Sequence, residues 1–397
     1  MANTKITNPE LFNLGDSTSA TQLPVMTTTQ RIAMTGLSDG EMIFNSTTDK
    51  VEYWDGTKWY GITYEVAAET PYNNVLYTGT GVSNPITGVG FQPDLVWIKR
   101  RTNATADHYI VDTVRGNGSN TYKNLASNET QAEGTTTSSG ITNSTIVDGG
   151  FTMQGTGART NASGSTYVAW CFKAGGAAVA NTDGTVASQV SANVAGGFSI
   201  VSWSGNSVSP STVGHGLEVA PELFIIKNLS SAVNWSVYNS SVGAGNKLQL
   251  NSSNQASATS NYANTSPTSS VFSLSGGNEV NGSGSNYIAY CFHSVAGYSK
   301  IGSYTGNGST NGPTVPLGFQ PAFLMCKETS STGNWRMMDS TRQPSNPKSN
   351  GLWANLTNAE SASSSNVVDF NSDNFQLVGG GSDVNASGQT YMYLAFA

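Results

Sequence analysis

One apolar segment occurs three times in this chain and constrains its fold more than any other feature. Each copy follows an Asn-x-Ser-Gly turn, and its tyrosine lies six residues after the asparagine of that turn. The copies are 166–172, 286–292 and 390–396, and their turns are 161–164, 281–284 and 385–388. A polar turn that leads into aromatic and aliphatic residues is typical of a strand buried on both faces. Three copies therefore predict three related β-modules.

A second repeated segment begins with proline and ends with lysine six residues later. The three pairs are Pro93 and Lys99, Pro221 and Lys227, and Pro321 and Lys327. Proline suits the first residue of a strand, and lysine marks the point where the strand leaves the core. Six or more such strands in about 100 residues, joined by loops rich in Ser, Thr, Asn and Gly, predict an antiparallel sandwich or jelly roll. The chain is predicted to be all-β.

Residues 1–62 differ from the repeats. A threonine within 27–29 is expected to cap a brief helix. The segments 40–45 and 50–54 then flank a turn at 46–49, and Asp55-Gly56 leads into a third strand. These are hairpin signals, so a β-meander is predicted. It is too small to bury a core alone and should oligomerise or dock onto a larger body.

The repeats also predict the domain boundaries. We expect an N-terminal segment at 1–62, a linker at 63–74, module 1 at 75–175, a linker hairpin at 176–196, module 2 at 197–296 and module 3 at 297–397.

Composition excludes several classes of function. The net charge is −7, and the only basic run is 99–101, so a nucleic-acid partner is not expected. Charged residues make up only 11%, which predicts a neutral surface rich in hydroxyl groups. The three cysteines lie in apolar runs, and the three histidines lack ligand spacing, so we expect no disulfide, no metal and no cofactor. No apolar run approaches the ~20 residues of a membrane span, and no classical secretion signal is present, so synthesis in the host cytoplasm without membrane insertion is expected.

Two parts of the chain resemble bacteriophage proteins. The stretch 40–59 resembles a hairpin segment near the ends of phage tail-fibre and other virion appendage proteins. The repeats, with the linker 180–193 and the strand 197–203, are similar to modules of marine phages, including those of cyanobacteria. Those modules are usually interpreted as lectin-like β-sandwiches. The resemblance implies a fibre or related appendage of the virion, commonly a homotrimer.

One set of polar residues is a candidate glycan-binding site. It consists of Lys99, Asp112 and Arg115 with their third-repeat equivalents Lys327, Asp339 and Arg342. Arginine would donate paired bonds to a carboxylate or sulfate, and aspartate would accept bonds from sugar hydroxyls. The alternative is a structural role, in which a salt bridge at the end of a strand orders a loop. This alternative is favoured because charge pairs that recur on a repeated fold usually belong to its architecture. The middle repeat keeps the lysine but has neither the aspartate nor the arginine.

These observations predict a tail fibre rather than an enzyme. The N-terminal segment would bind other virion tail proteins, and loops of the modules would adsorb to host surface polysaccharide or lipopolysaccharide. One alternative is a capsid or neck decoration protein that contacts only virion proteins. A glycan depolymerase is a further alternative, but it needs a carboxylate pair, and neither Asp148 nor Asp373 has an acidic equivalent in the middle repeat.

Overall fold

The computed structural model of the protein describes residues 23–48, 50–62, 71–102, 105–116, 122–136 and 139–397. Strands make up 41% and helices 3%, which confirms the predicted all-β class. The chain divides into two compact units, Met1–Glu69 and Thr70–Ala397. Among the described residues, no helix has the length and apolar composition needed to cross a membrane.

In its described residues, the first unit is a four-stranded sheet with one short helix. Its elements are β1 (Val25–Met26), α1 (Thr28–Ile32), β2 (Met42–Asn45), β3 (Lys50–Trp54) and β4 (Trp59–Ile62). Strands β2, β3 and β4 pair antiparallel, and β1 adds in parallel to β2. The Thr27 hydroxyl accepts a bond from the Gln30 backbone N–H, and the Gln30 side chain accepts one from the Thr27 N–H. These contacts confirm the predicted meander and capped helix; residues 1–22, 49 and 63–70 of the predicted segment, turn and linker lie outside the described part of the chain.

The second unit contains the three repeats. Module 1 comprises β5 (Tyr72–Thr78), β6 (Asn84–Thr87), β7 (Leu95–Arg100), β8 (Tyr109–Asp112), β9 (Tyr122–Asn124), β10 (Gly134–Thr136), a 3-10 turn (Asn143–Thr145), β11 (Ile146–Val147), β12 (Gly150–Met153) and β13 (Thr166–Phe172). Module 2, with the strands before it, comprises β14 (Val179–Asn181), β15 (Ser188–Asn193), β16 (Phe198–Ser204), β17 (Ser211–Gly214), β18 (Leu223–Asn228), β19 (Ser236–Asn239), β20 (Asn246–Gln249), β21 (Ser257–Ala258), β22 (Val271–Leu274) and β23 (Asn286–Phe292). Module 3 comprises β24 (Ser299–Thr305), β25 (Thr314–Pro316), β26 (Phe323–Glu328), β27 (Arg336–Asp339), β28 (Asn350–Trp353), β29 (Ser361–Ala362), β30 (Val368–Phe370), β31 (Asn374–Leu377), α2 (Ser382–Asn385) and β32 (Thr390–Phe396).

Each module packs a large antiparallel sheet on a small one. The large sheets have the orders β5-β13-β7-β8, β14-β15-β16-β23-β18-β19-β20-β21 and β24-β32-β26-β27-β28-β29. The small sheets are β11-β12-β6, β17-β22 and β25-β31-β30. The repeated segment forms β13, β23 and β32, which are bonded on both sides in every large sheet. The three predicted antiparallel sandwiches are therefore confirmed, and their individual boundaries stay a sequence prediction.

The repeated strand is buried on both faces, as its apolar run predicts. In β13, the side chains of Tyr167 and Cys171 enter the core between the two sheets of module 1. The alternate residues Trp170 and Phe172 enter a different core. Strand side chains alternate between faces, so one strand serves both cores. The same alternation occurs in β23 and β32.

The second core is shared by all three modules. Phe172 of module 1 lies 5.5 Å from Phe198, 6.0 Å from Phe292 and 5.4 Å from Phe396, measured between ring centroids. Tyr72 stacks on Phe396 at 5.0 Å. Because three large sheets face one apolar core, the modules surround it rather than follow one another as separate bodies.

Candidate functional site

The predicted aspartate and arginine of each charged set lie together at the end of a strand. Asp112 ends β8, and its carboxylate accepts bonds from the Arg115 backbone N–H at 2.9 Å and from Arg115 Nε at 2.6 Å. Asp339 ends β27 and accepts the same two kinds of bond from Arg342. Although burial opposes the change, the Asp112 carboxylate raises the pKa of Arg115 above its ordinary value. Both pairs are local i, i+3 contacts that order the turn after the strand.

The two predicted lysines lie apart from these pairs and contact a neighbouring module. Lys99 Nζ donates to the carbonyls of Ala106, at 2.7 Å, and of Thr357 in module 3, at 2.8 Å. Lys327 Nζ donates to the carbonyl of Ser253 in module 2 at 3.1 Å. Burial lowers the pKa of Lys99 and of Lys327 to about 8.

The same contact exists in the middle module, which sequence reasoning left out of the site. Lys227 Nζ donates to the carbonyl of Thr130 in module 1 at 2.8 Å. Each lysine therefore donates a hydrogen bond from its own module to a loop carbonyl of another module. The loop of module 1 reaches module 2, that of module 2 reaches module 3, and that of module 3 reaches module 1, which closes a ring of like contacts.

The carboxylates also bond to a neighbouring module. The Tyr290 hydroxyl of module 2 donates to Asp112 Oδ2 at 2.8 Å, and Trp170 Nε1 of module 1 donates to Asp339 Oδ2 at 3.2 Å. Tyr290 and Trp170 occupy the same place in the repeated strand. The third copy has Leu394 at that place, and module 2 has Asn239 at the position equivalent to Asp112 and Asp339. The side-chain donor is therefore absent at Leu394, and the equivalent acceptor position, Asn239, carries no charge.

A ring nitrogen completes each contact between modules. Trp235 Nε1 donates to the carbonyl of Ala126 at 3.0 Å, and Trp335 Nε1 donates to that of Gln249 at 2.9 Å. In module 1 the equivalent residue is His108, whose Nε2 lies 2.9 Å from the Trp353 carbonyl. Trp97 Nε1 donates to His108 Nδ1 at 2.8 Å, so the proton of the neutral imidazole is on Nε2. Burial lowers the pKa of His108 to about 3.

This geometry makes the charged set part of the contacts between modules. Lys99 and Lys327 are fully buried, and the side chains of the two aspartate–arginine pairs are at most 2% exposed. Their observed partners belong to the protein itself, which matches the structural alternative. The glycan-binding role of Lys99, Asp112, Arg115, Lys327, Asp339 and Arg342 stays a prediction. The sequence did show that Lys227, Trp235 and Tyr290 stand at repeated positions, which was a signal that they belong to the same set of contacts.

The repeated aromatic residues that could stack on sugars pack inside the modules instead. Tyr77 stacks on Tyr167 at 5.1 Å, and Trp203 stacks on Tyr287 at 5.4 Å. Tyr304 and Tyr391 form the third such pair, at 5.0 Å. Core packing, which the apolar strand context favours, accounts for these rings.

Two concavities lined by both polar and apolar groups lie among the described residues of the second unit. One, of about 550 Å³, lies on module 1 between β9 and the turn that contains Gly157 and Thr160. The other, of about 720 Å³, lies between modules 1 and 2 and is lined by Ser202, Ser204 and Ser230 among others. No group of three or more His, Cys, Asp or Glu side chains is placed to hold a metal ion in the described ranges.

The comparisons with known families agree with the two compact units. A family model described as Domain of unknown function (DUF7483) matches residues 69–397. The chain belongs to this family. A second model, described as Phage tail like trimerisation region, matches residues 3–80. Neither the curated proteins nor the solved structures gave a match.

The DUF7483 match spans the three modules and their shared core. The family domain is therefore the whole ring rather than one repeat. The trimerisation match supports a phage tail-type structural protein, a homotrimer and a place in the virion. This agrees with the expectation that the N-terminal segment oligomerises.

Proposed function

We propose that the protein is a phage tail fibre that attaches to the virion through its N-terminal region and adsorbs to host surface glycans through loops of its DUF7483 domain. The observation that carries this proposal is the joining of a phage tail-like trimerisation region to three modules that share one core. A trimer of such chains presents each loop in three copies. Weak binding by single loops is then multiplied through avidity.

The surface chemistry suits a carbohydrate partner. Charged residues are 11% of the chain, and the loops are rich in Ser, Thr, Asn and Gly. Such side chains donate and accept hydrogen bonds without the desolvation cost of ions. Lectin-like binding and a relation to marine phage appendages stay predictions on this basis.

Part of the long segment between β20 and β22 of module 2 is available for recognition. The beginning of this segment contacts module 3, because the Ser253 carbonyl accepts a bond from the Gly333 N–H and the Ala256 N–H donates to the Thr329 carbonyl. Its end differs, since Asn264–Ser266 and Thr268–Ser270 are exposed. A rigid base with an exposed, hydroxyl-bearing tip is the usual arrangement of a binding loop.

We propose binding without cleavage. Hydrolysis of a glycosidic bond ordinarily needs two carboxyl groups separated by roughly 5–10 Å across the scissile bond. Asp148 and Asp373, the acids considered for this role, have Ser269 and Ser270 in the corresponding region of the middle repeat. A depolymerase would release reducing sugar from the host polysaccharide, which the following experiment also measures.

Binding of the labelled full-length trimer to intact candidate host cells tests the proposal. We expect saturable binding that purified surface polysaccharide or lipopolysaccharide abolishes, with no release of reducing sugar. The variant Thr265→Ala/Ser269→Ala should bind several-fold more weakly, because two hydroxyls of the exposed loop are lost. Thr35→Ala/Ser38→Ala removes two exposed hydroxyls from the first unit and serves as the matched control. A folded trimer that binds none of the cells would overturn the proposal and favour a decoration protein that contacts virion proteins alone.

A further inference from the structure

The three modules place different residues at equivalent positions on the two walls of a surface groove. One wall is formed by β9, β20 or β28 and the residues that follow that strand. The other wall is the turn before the repeated strand. Pairing of Ile110 with Leu125, Val237 with Leu248 and Met337 with Leu352 sets the equivalence. On the strand wall this aligns Asn124 with Lys247 and Gly351, and Ala126 with Gln249 and Trp353. On the turn wall, the residue two before the repeated asparagine is Arg159, Glu279 or Asp383.

In modules 2 and 3, side chains join the two walls. Lys247 forms an ion pair with Glu279, whose carboxylate also accepts a bond from Asn261 Nδ2 at 2.6 Å. In module 3, Trp353 Nε1 donates to Asp383 Oδ2 at 2.9 Å. A long side chain on the strand and an acid on the turn thus close the groove in both modules.

In the described part of module 1, no long side chain on the strand meets an acid on the turn. Asn124 and Ala126 have short side chains, and the turn carries Arg159 in place of an acid. Arg159 pairs with Asp107, which also lines the groove, and the Arg159 side chain remains 44% exposed. The space between the walls is about 550 Å³, which is within the usual range of small-ligand pockets, ~300–1,000 Å³.

The carboxylates of this groove are held in place. Asn128 Nδ2 donates to Asp107 Oδ1 at 2.9 Å and to Glu129 Oε1 at 3.3 Å. Asn128 is itself oriented, because its Oδ1 accepts a bond from the His108 N–H at 2.9 Å. Acceptors fixed before binding lose less entropy when a ligand binds.

We propose that this groove of module 1 is a subsite for a neutral saccharide. The inference rests on the proposed adsorption to glycans and deepens it. Asp107 and Glu129 would accept bonds from sugar hydroxyls, and Arg159 and Gln131, which also line the groove, would donate to sugar oxygens. The formal charge of these side chains is −1, so a polyanionic chain would be repelled rather than clamped.

The test is to close the groove of module 1 with the ion pair that closes the groove of module 2. Asn124→Lys/Arg159→Glu reproduces the Lys247–Glu279 bridge of module 2, and Arg159→Ala, at an exposed side chain, is a second variant that leaves the core unchanged. Gln389→Glu on module 3 adds the same net charge of −1 and is the matched control. All four full-length proteins are measured for binding to intact host cells and to an array of neutral, uronate-containing and sulfated oligosaccharides, after thermal unfolding has shown each to be folded.

We expect wild type and Gln389→Glu to bind cells and neutral oligosaccharides equally. Asn124→Lys/Arg159→Glu should bind at least tenfold more weakly, and Arg159→Ala should lose several-fold in affinity. Two results would overturn the assignment of the groove as a saccharide subsite while the adsorption function stands. One is wild-type binding that neither groove variant changes, and the other is binding confined to the acidic oligosaccharides. Failure of wild type to bind both cells and array would overturn the adsorption function itself.

Discussion

Replacing Asp339 by alanine should strongly destabilise the second unit. The Asp339 carboxylate accepts bonds from the Arg342 backbone N–H, from Arg342 Nε and from Trp170 Nε1. Its removal leaves the Arg342 side chain, which is 0% exposed, with the Met337 carbonyl at 2.9 Å and Glu360 at 3.3 Å. The guanidinium keeps its charge inside the protein but loses its closest anion.

The expected cost is about 3–5 kcal/mol, the usual result of removing one partner of a buried ion pair. Trp170 is in module 1 and Asp339 in module 3, so the loss affects the shared structure rather than one module. With an unfolding entropy of about 2.1 cal/mol/K per residue over roughly 330 residues, ~4 kcal/mol lowers Tm by about 6 °C. Differential scanning calorimetry of the full-length protein measures this shift.

A double variant separates charge from packing. Asp339→Asn/Arg342→Val places in module 3 the residues that module 2 has at Asn239 and Val242. Since Val242 packs against the shared core, the apolar replacement has a precedent in this fold. No charge is left unpaired, so we expect the double variant to lie within about 1 kcal/mol of wild type.

The control is Asp373→Ala, which removes an exposed carboxylate of the same module and should change stability by less than about 0.5 kcal/mol. The reasoning fails if Asp339→Ala is as stable as this control. It also fails if the double variant is destabilised as much as Asp339→Ala, because the cost would then not arise from the unpaired arginine.

Three further predictions concern acid stability, cooperativity and assembly. Burial holds the pKa of His108 at about 3 in the folded protein, against an ordinary value of 6.5, so only the unfolded chain takes up this proton between those values and stability falls as the pH is lowered from about 6.5 towards 3. Trp97→Ile/His108→Trp, which copies module 2, should reduce that fall in urea titrations at pH 4 relative to pH 7; an unchanged pH dependence would contradict the assignment. Deleting Tyr391–Ala397 removes a strand that serves two cores, so near-ultraviolet circular dichroism should show the loss of tertiary structure throughout the second unit; retention of the signal from modules 1 and 2 would show that they fold alone. Deleting residues 1–69 should convert the trimer to a monomer in light scattering, and a trimeric product would place the interface in the DUF7483 domain.

Local features of the chain were predictable from the residues. The hairpin signals of the N-terminal unit and the capping threonine act within a few residues, so they specify local structure without reference to long-range contacts. The pairing of Asp112 with Arg115 is also local, because the two residues are three apart. Comparison of the repeats placed the buried strand correctly in all three modules.

The partners of the site were not predictable in the same way. Asp112 bonds to Tyr290 across 178 residues of sequence, and Lys99 to Thr357 across 258. No spacing rule relates residues so far apart, since their proximity follows from the order of the modules around the shared core. The glycan interpretation was based on the residue types alone, whereas the packing of the ring decides how deeply these charges are buried.

The sequence by itself determined that this protein is built from β-strands, that three modules repeat, and that the repeated strand is buried on both faces. These properties depend on side-chain alternation and turn residues, which are local. Only the tertiary structure decided what covers the second face of each repeated strand. It is the strands of the other two modules, because an apolar face must be buried against another element, and three such faces in one chain bury one another.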